Sequence, residues 1–218
     1  MSETTSLDDA LLALGLVNQS ENAYAVTEVS DWTRSGAETY LYRFNIRTSF
    51  NRTSEYVLKA CVAYSPGGAL EDILDSWISR RGLLSAIGLS TPRMFGRGKG
   101  IVLEEYIPHT LSSRLDEKGR ILPILLHGLA EYAGVLSGLG FSPVSPFKDL
   151  RSRGSDVVVV DFGADLGESN AVEAGGTAIF RALHEFLAGH NIEAAADLEF
   201  SFQMAMNRAL NKRDILEG

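Results

Sequence analysis

The stretch that most narrows the folds open to this chain is Asp156-Val157-Val158-Val159-Val160-Asp161-Phe162-Gly163. Four consecutive valines are stiff at the first side-chain torsion and favour strand. An apolar run bounded by polar residues predicts a strand covered on both faces. The run ends in an acid, Asp161, and Gly163 then lets the backbone turn sharply. A lone carboxylate at the end of a buried strand is costly, so a metal ion or a cationic partner is expected there.

Length and charge bound what can surround that strand. The 218 residues suffice for one ample core or for two small lobes sharing a cleft. A net charge of −8, with no long basic block to offset it, argues against nucleic acid and against an anionic membrane as partners. Cys61 is the single cysteine and lies in an apolar run, so an inert core thiol in a reducing compartment is expected. Met1 to Asp9 is polar and acidic, without the basic start of a signal peptide. No apolar run approaches the ~20 residues needed to span a bilayer. A cytoplasmic location is the expectation.

In the amino-terminal half, Ser6-Leu7-Asp8-Asp9 predicts a helix start, followed by a leucine stripe through Leu16. Alternation then predicts a strand at Tyr24–Glu28 and another at Tyr40–Ile46, joined around Arg34-Ser35-Gly36-Ala37, and a third at Tyr56–Val62. Period two puts Val57, Lys59 and Cys61 on one face of that third strand. A lysine in such a run needs an anionic partner or an open cleft. The plain alternative is an edge strand whose lysine reaches solvent. A helix is predicted over Ala69–Ala86, with Glu71 and Asp75 on one face at i, i+4 spacing.

Ile101–Glu105 reads as a strand that runs through Tyr106-Ile107-Pro108 into a connector. Leu122–Leu139 carries apolar residues at i, i+3, i+4 and i+7 and predicts a long helix. Arg153-Gly154-Ser155 predicts a hairpin feeding the valine strand. Two more helices are expected at Thr177–Ala188 and Ile192–Leu210.

Taken in order, Lys59, a helix, the Ile101–Leu111 stretch, a long helix, a hairpin and Asp161-Phe162-Gly163 resemble the protein-kinase-like superfamily, in particular the aminoglycoside and choline phosphotransferases. The resemblance runs from residue 24 to residue 188. It implies an α+β fold of two lobes: residues 1–105 as a nucleotide-binding lobe with an antiparallel sheet, and 106–218 as a mainly helical lobe. It implies ATP and Mg²⁺ as cofactors. Lys59 would hold the nucleotide phosphates, Val57 would cover the adenine, and either Glu71 or Asp75 would pair with Lys59. Main-chain groups near Glu105 and Ile107 would meet the adenine edge, and Asp161 would hold the metal.

The chain departs from the family in two places. The loop at Arg34–Glu38 has one glycine where protein kinases have several. The catalytic loop lacks "H-G-D-x-x-x-x-N". With Asp149 at the asparagine position, twelve residues before Asp161, the catalytic aspartate falls at Val144 and its histidine at Ser142. Matching Phe147-Lys148-Asp149-Leu150 to "H-R-D-L" instead keeps a catalytic acid and deletes the asparagine. Either way Asp149 is the acid expected beside Asp161, as a second metal ligand or as the catalytic group. The resemblance thus implies an atypical phosphotransferase acting on a hydroxyl of an unidentified small molecule or protein. The alternative is a pseudokinase that binds nucleotide or regulates without phosphoryl transfer, and the plainest reading is an α+β protein outside the superfamily.

Overall fold

The computed structural model describes residues 25–28, 33–35, 39–47, 53–61, 70–98, 100–141, 143, 145–163, 166, 172–190, 192 and 196–217. The helix predicted through Leu16, the loop positions Gly36–Glu38, and both Ser142 and Val144 lie outside the described residues. The chain divides into two compact units. One comprises Met1–Ile78 and Pro92–Tyr106, the other Ser79–Thr91 and Ile107–Gly218. Both combine helix with antiparallel sheet, the mixed class expected of the sequence. No helix among the described residues is long and apolar enough to cross a membrane.

The first unit is built on one antiparallel sheet. Its strands are β1 (Ala25–Glu28), β2 (Thr33–Ser35), β3 (Thr39–Arg47), β4 (Thr53–Cys61), β5 (Met94–Gly98) and β6 (Ile101–Glu105). They lie in the order β1-β3-β4-β6-β5, with β2 also pairing β3. The sequence predicts a meander of consecutive strands here. The three predicted strands do form that meander, β1-β3-β4, and β6 joins it on the far side of β4 after an intervening helix. Alternation sorts the side chains. Tyr42 and Phe44 of β3, Tyr56 and Leu58 of β4, and Leu103 of β6 are neighbours in register on one face. Phe44, Leu58 and Leu103 are fully buried, each contributing about 1.5–3 kcal/mol of transfer free energy. Tyr42, Phe44, Tyr56 and Phe95 extend this layer as an aromatic chain with centroids 5.0–5.9 Å apart. The opposite face carries Val57 and Lys59 against Glu104 and Val102.

Helix α1 (Leu70–Ala86) begins one residue after its predicted start and ends where predicted. Its residues through Ile78 belong to the first unit, with Leu74 and Trp77 buried there. Those from Ser79 onward belong to the second.

The second unit is organised around α2 (Leu126–Leu139), which Pro123–Leu125 leads into as a 3-10 turn. Gly140 ends the helix in the left-handed region (φ 73°) and returns its N–H to the Leu136 and Ser137 carbonyls. A three-stranded sheet of β7 (His109–Thr110), β8 (Leu150–Arg153) and β9 (Asp156–Val159) is ordered β7-β8-β9. Here β9 is the predicted valine strand and Gly154 (φ 61°) turns the predicted hairpin. Ser90 flanks β9 as well, accepting from the Val159 N–H at 2.9 Å. Val157, Val158 and Val159 are therefore all buried, as an unbroken apolar run requires.

Helix α3 (Val172–Gly189) starts ahead of its predicted first residue, Thr177. Helix α4 (Ala196–Glu217) is shifted past the predicted Ile192–Leu210. The seam between α2 and α4 is made of main chain and of the small side chains Ala205 and Ala209. A Cβ on Gly134 would sit 2.3 Å from the Phe202 carbonyl oxygen, and one on Gly138 would sit 2.5 Å from that of Met206. Only glycine allows the two backbones this near.

Candidate functional site

Two groups of predicted residues can be placed, one in each unit. In the first, Lys59 sits on an interior strand, between β3 and β6, so it is not the edge-strand lysine of the plain alternative. Its ammonium lies 3.0 Å from the Glu104 carboxylate, with side-chain exposures of 10% and 0%. The same ammonium stands 5.0 Å from the Trp77 ring centroid, within reach of the ring's negative face. A buried ammonium needs a partner of this kind, since desolvation would otherwise disfavour its charge. Val57 of β4, directly opposite Glu104 of β6 in the register, is buried.

Neither helix acid is the partner described for Lys59. Glu71 is exposed. Asp75 pairs with Arg97 at 3.0 Å, both side chains being more than half exposed. The acid at Lys59 comes from strand β6 instead. Glu104 went unnoticed in the sequence because it reads as the polar end of an apolar strand. Its apolar neighbours Val102 and Leu103 were the available signal: an acid following them in a buried strand needs a cation, and Lys59 is the lysine of the same sheet.

Glu105 is tied to Arg93 twice over. Its N–H donates to the Arg93 carbonyl at 2.8 Å, and its carboxylate accepts from the Arg93 N–H at 3.1 Å. The Tyr106 N–H donates to the Glu55 carbonyl. Ile107, the first residue of the second unit on this side, is buried. Cys61 is half-buried at the end of β4, a less enclosed place than the core position expected of it.

In the second unit, Asp149 and Asp161 line one concavity. It is a shallow hollow open to solvent, with Tyr132, Ser145, Pro146 and Val159 among its walls. The fold explains the juxtaposition. Asp149 is the last residue of the turn before β8, and Asp161 follows the end of its hairpin partner β9, so both acids lie at the same end of the hairpin. Tyr132, from buried α2, packs edge-on to Phe147 with centroids 6.0 Å apart, and Phe147 stacks on Phe186 at 4.8 Å. Asp161 itself is exposed, and its Oδ1 accepts from the Gly163 N–H at 3.1 Å. The following Phe162 is fully buried and anchors the turn.

The donor set can be tested against magnesium. Among the described residues no group of three or more His, Cys, Asp or Glu is arranged to hold a metal ion. Mg²⁺ does not require one: it keeps several waters and is held by one or two carboxylates together with substrate phosphates. Two acids in an open, solvated concavity suit a metal that arrives with a nucleotide better than an all-protein cage.

No protein-family model matches the chain, and no curated protein matches it.

Proposed function

We propose that this protein is an atypical, kinase-like phosphotransferase that uses ATP and Mg²⁺ to phosphorylate a hydroxyl of an unidentified small molecule or protein. The observation that carries the reading is the presence of Asp149 and Asp161 in one concavity at the end of the β8–β9 hairpin. In this reading the two units are the amino-terminal and helical lobes of a kinase-like fold, and the chemistry is divided among few residues. Asp161 holds the metal. Asp149 holds a second metal or accepts the acceptor's proton. Lys59, oriented by Glu104, meets the phosphates, with Val57 over the adenine and the main chain of Glu105 and Ile107 along its edge. Bound Mg²⁺ would supply charge neutralisation at the transferring phosphate. Positioning and electrostatics provide most of phosphoryl-transfer catalysis, so a loop without His-x-Asp weakens catalysis without abolishing its basis.

The pseudokinase is favoured by a different observation. The positions of the catalytic histidine and aspartate fall at Ser142 and Val144, neither of which can orient or deprotonate an acceptor hydroxyl as an aspartate would. A thermal-shift titration with ATP, with and without Mg²⁺, separates the readings. Metal-dependent stabilisation lost in Asp161→Asn, together with ADP formation lost in Asp149→Asn, is the result expected of the enzyme. Stabilisation without ADP formation would select the pseudokinase, and no stabilisation at all would remove nucleotide from both.

A further inference from the structure

The turn that carries Asp161 is gripped by a residue to which the sequence assigned nothing. Arg80, in the part of α1 that belongs to the second unit, is half-buried. Its Nη1 donates to the carbonyl of Phe162 at 3.0 Å and to that of Gly163 at 2.9 Å. Arginine on a helix surface ordinarily keeps its head in water or meets a carboxylate. Here one terminal nitrogen is committed to two successive neutral carbonyls, in bonds strengthened by its charge. Turning both carbonyls toward one point fixes two adjacent peptide planes. The Gly163 N–H is meanwhile turned back onto the Asp161 carboxylate, and the Phe162 ring is locked in the core. The segment after β9 is thus held on three sides, and the direction of the Asp161 side chain follows from that grip.

We propose that Arg80 is the positioning residue for Asp161, fixing the Asp161–Gly163 turn so that the carboxylate is preset for a divalent cation. This rests on the reading of Asp161 as a metal-holding acid. Groups that orient a ligand from outside typically change metal affinity by 10–100-fold when removed. Arg80 also carries a positive charge, and loss of that charge alone would strengthen cation binding nearby. Weaker binding on its removal therefore reports orientation and not electrostatics.

The test is an Mn²⁺ titration of the full chain with a saturating non-hydrolysable ATP analogue, followed by electron paramagnetic resonance against a protein-free titration of the same analogue, which reads protein-bound Mn²⁺ and needs no turnover. Wild type is expected to bind, and Asp161→Asn to lose the site. Arg80→Met should weaken binding by about tenfold or more, and Arg80→Lys should fall between, since a single ammonium can serve both carbonyls from a shorter stem. If wild type binds, Asp161→Asn does not, and Arg80→Met binds as well as wild type or better, the role given to Arg80 is wrong and Asp161 keeps its own. Should wild type fail to bind, or Asp161→Asn bind normally, the reading of Asp161 falls and takes this role with it. If Arg80→Met does not fold, Arg80→Lys decides: reduced affinity in a protein that melts like wild type supports the role, and unchanged affinity overturns it.

Discussion

Replacing Glu104 by glutamine should be among the most destabilising single changes in the first unit, although it alters only one oxygen. The pair it breaks is 3.0 Å long and almost wholly withdrawn from water, at 10% and 0% exposure. Removing one partner of such a pair leaves an uncompensated buried charge, which costs about 3–5 kcal/mol. For a chain of this size each kcal/mol corresponds to about 2–4 °C in the melting midpoint. A fall of roughly 6–20 °C is therefore expected. Lys59→Met should do similar damage from the other side. The double variant Lys59→Met/Glu104→Leu removes both charges and should regain most of the loss, because well-packed apolar residues replace buried ion pairs at little cost. The exposed Asp75–Arg97 pair is the control, and Asp75→Asn should stay within about 0.5 kcal/mol of wild type. Urea unfolding followed by circular dichroism, run on these variants and on Glu104→Leu, gives the coupling energy, the two singles of the cycle being Lys59→Met and Glu104→Leu. The reasoning is refuted if Glu104→Gln matches wild type within about 0.5 kcal/mol, or if the double variant loses the sum of the two singles.

Glycine positions on two helices should respond to alanine with opposite signs. Gly82 on α1 is exposed with nothing within 4 Å of a new Cβ, so Gly82→Ala should stabilise by about 0.5–1 kcal/mol. Gly134→Ala would drive a methyl to 2.3 Å from the Phe202 carbonyl oxygen, and its loss of about 1–3 kcal/mol should exceed any gain in helix propensity. Thermal melts compare the two directly. Asp116 gives a pH dependence. Hydrogen bonds from the Arg120 N–H and the Arg120 guanidinium, with a smaller one from the Lys118 N–H, hold its carboxyl below the ordinary aspartate value. The ionised form is the one that folding favours, so its contribution is present above the unfolded value and fades as pH falls through the folded one. Asp116→Asn should accordingly be less stable than wild type at neutral pH, with urea midpoints converging as the pH drops through that window.

Local pattern carried most of the elements and little of their pairing. The helix at Leu70–Ala86, the valine strand and the long helix around Leu129 and Leu136 were legible because each has a period of its own. The short strand Thr33–Ser35 was read as a connector, since three residues cannot display an alternation. Helix α3 begins before Gly175 and Gly176, which read as loop because each glycine costs about 1 kcal/mol in a helix. Of the predicted site residues, Asp149 and Asp161 came together because a hairpin is a local structure, and Arg153-Gly154-Ser155 announced it. The pairing of Lys59 with Glu104 was not legible because the register that sets Val57 opposite Glu104 joins strands separated by an entire helix. Arg80 lay among the charged residues of a helix surface and nothing nearby distinguished it. Its bonds go to main-chain oxygens more than eighty positions away, which carry no side-chain signature.

The glycine seam has a consequence for how freely the second unit can vary. Where α2 meets α4 at Gly134 and Gly138, the peptide oxygens of Phe202 and Met206 and the methyl groups of Ala205 and Ala209 set the gauge, so the side chains that can be exchanged without moving either axis are those that face away from this seam. Tyr132, two positions before the first of these glycines, inherits its location from that rail. A library that randomised the outward side of α4, including the exposed Phe200 and Met204, should leave the wall behind Asp149 and Asp161 in place. A library at the two glycines should return only glycine.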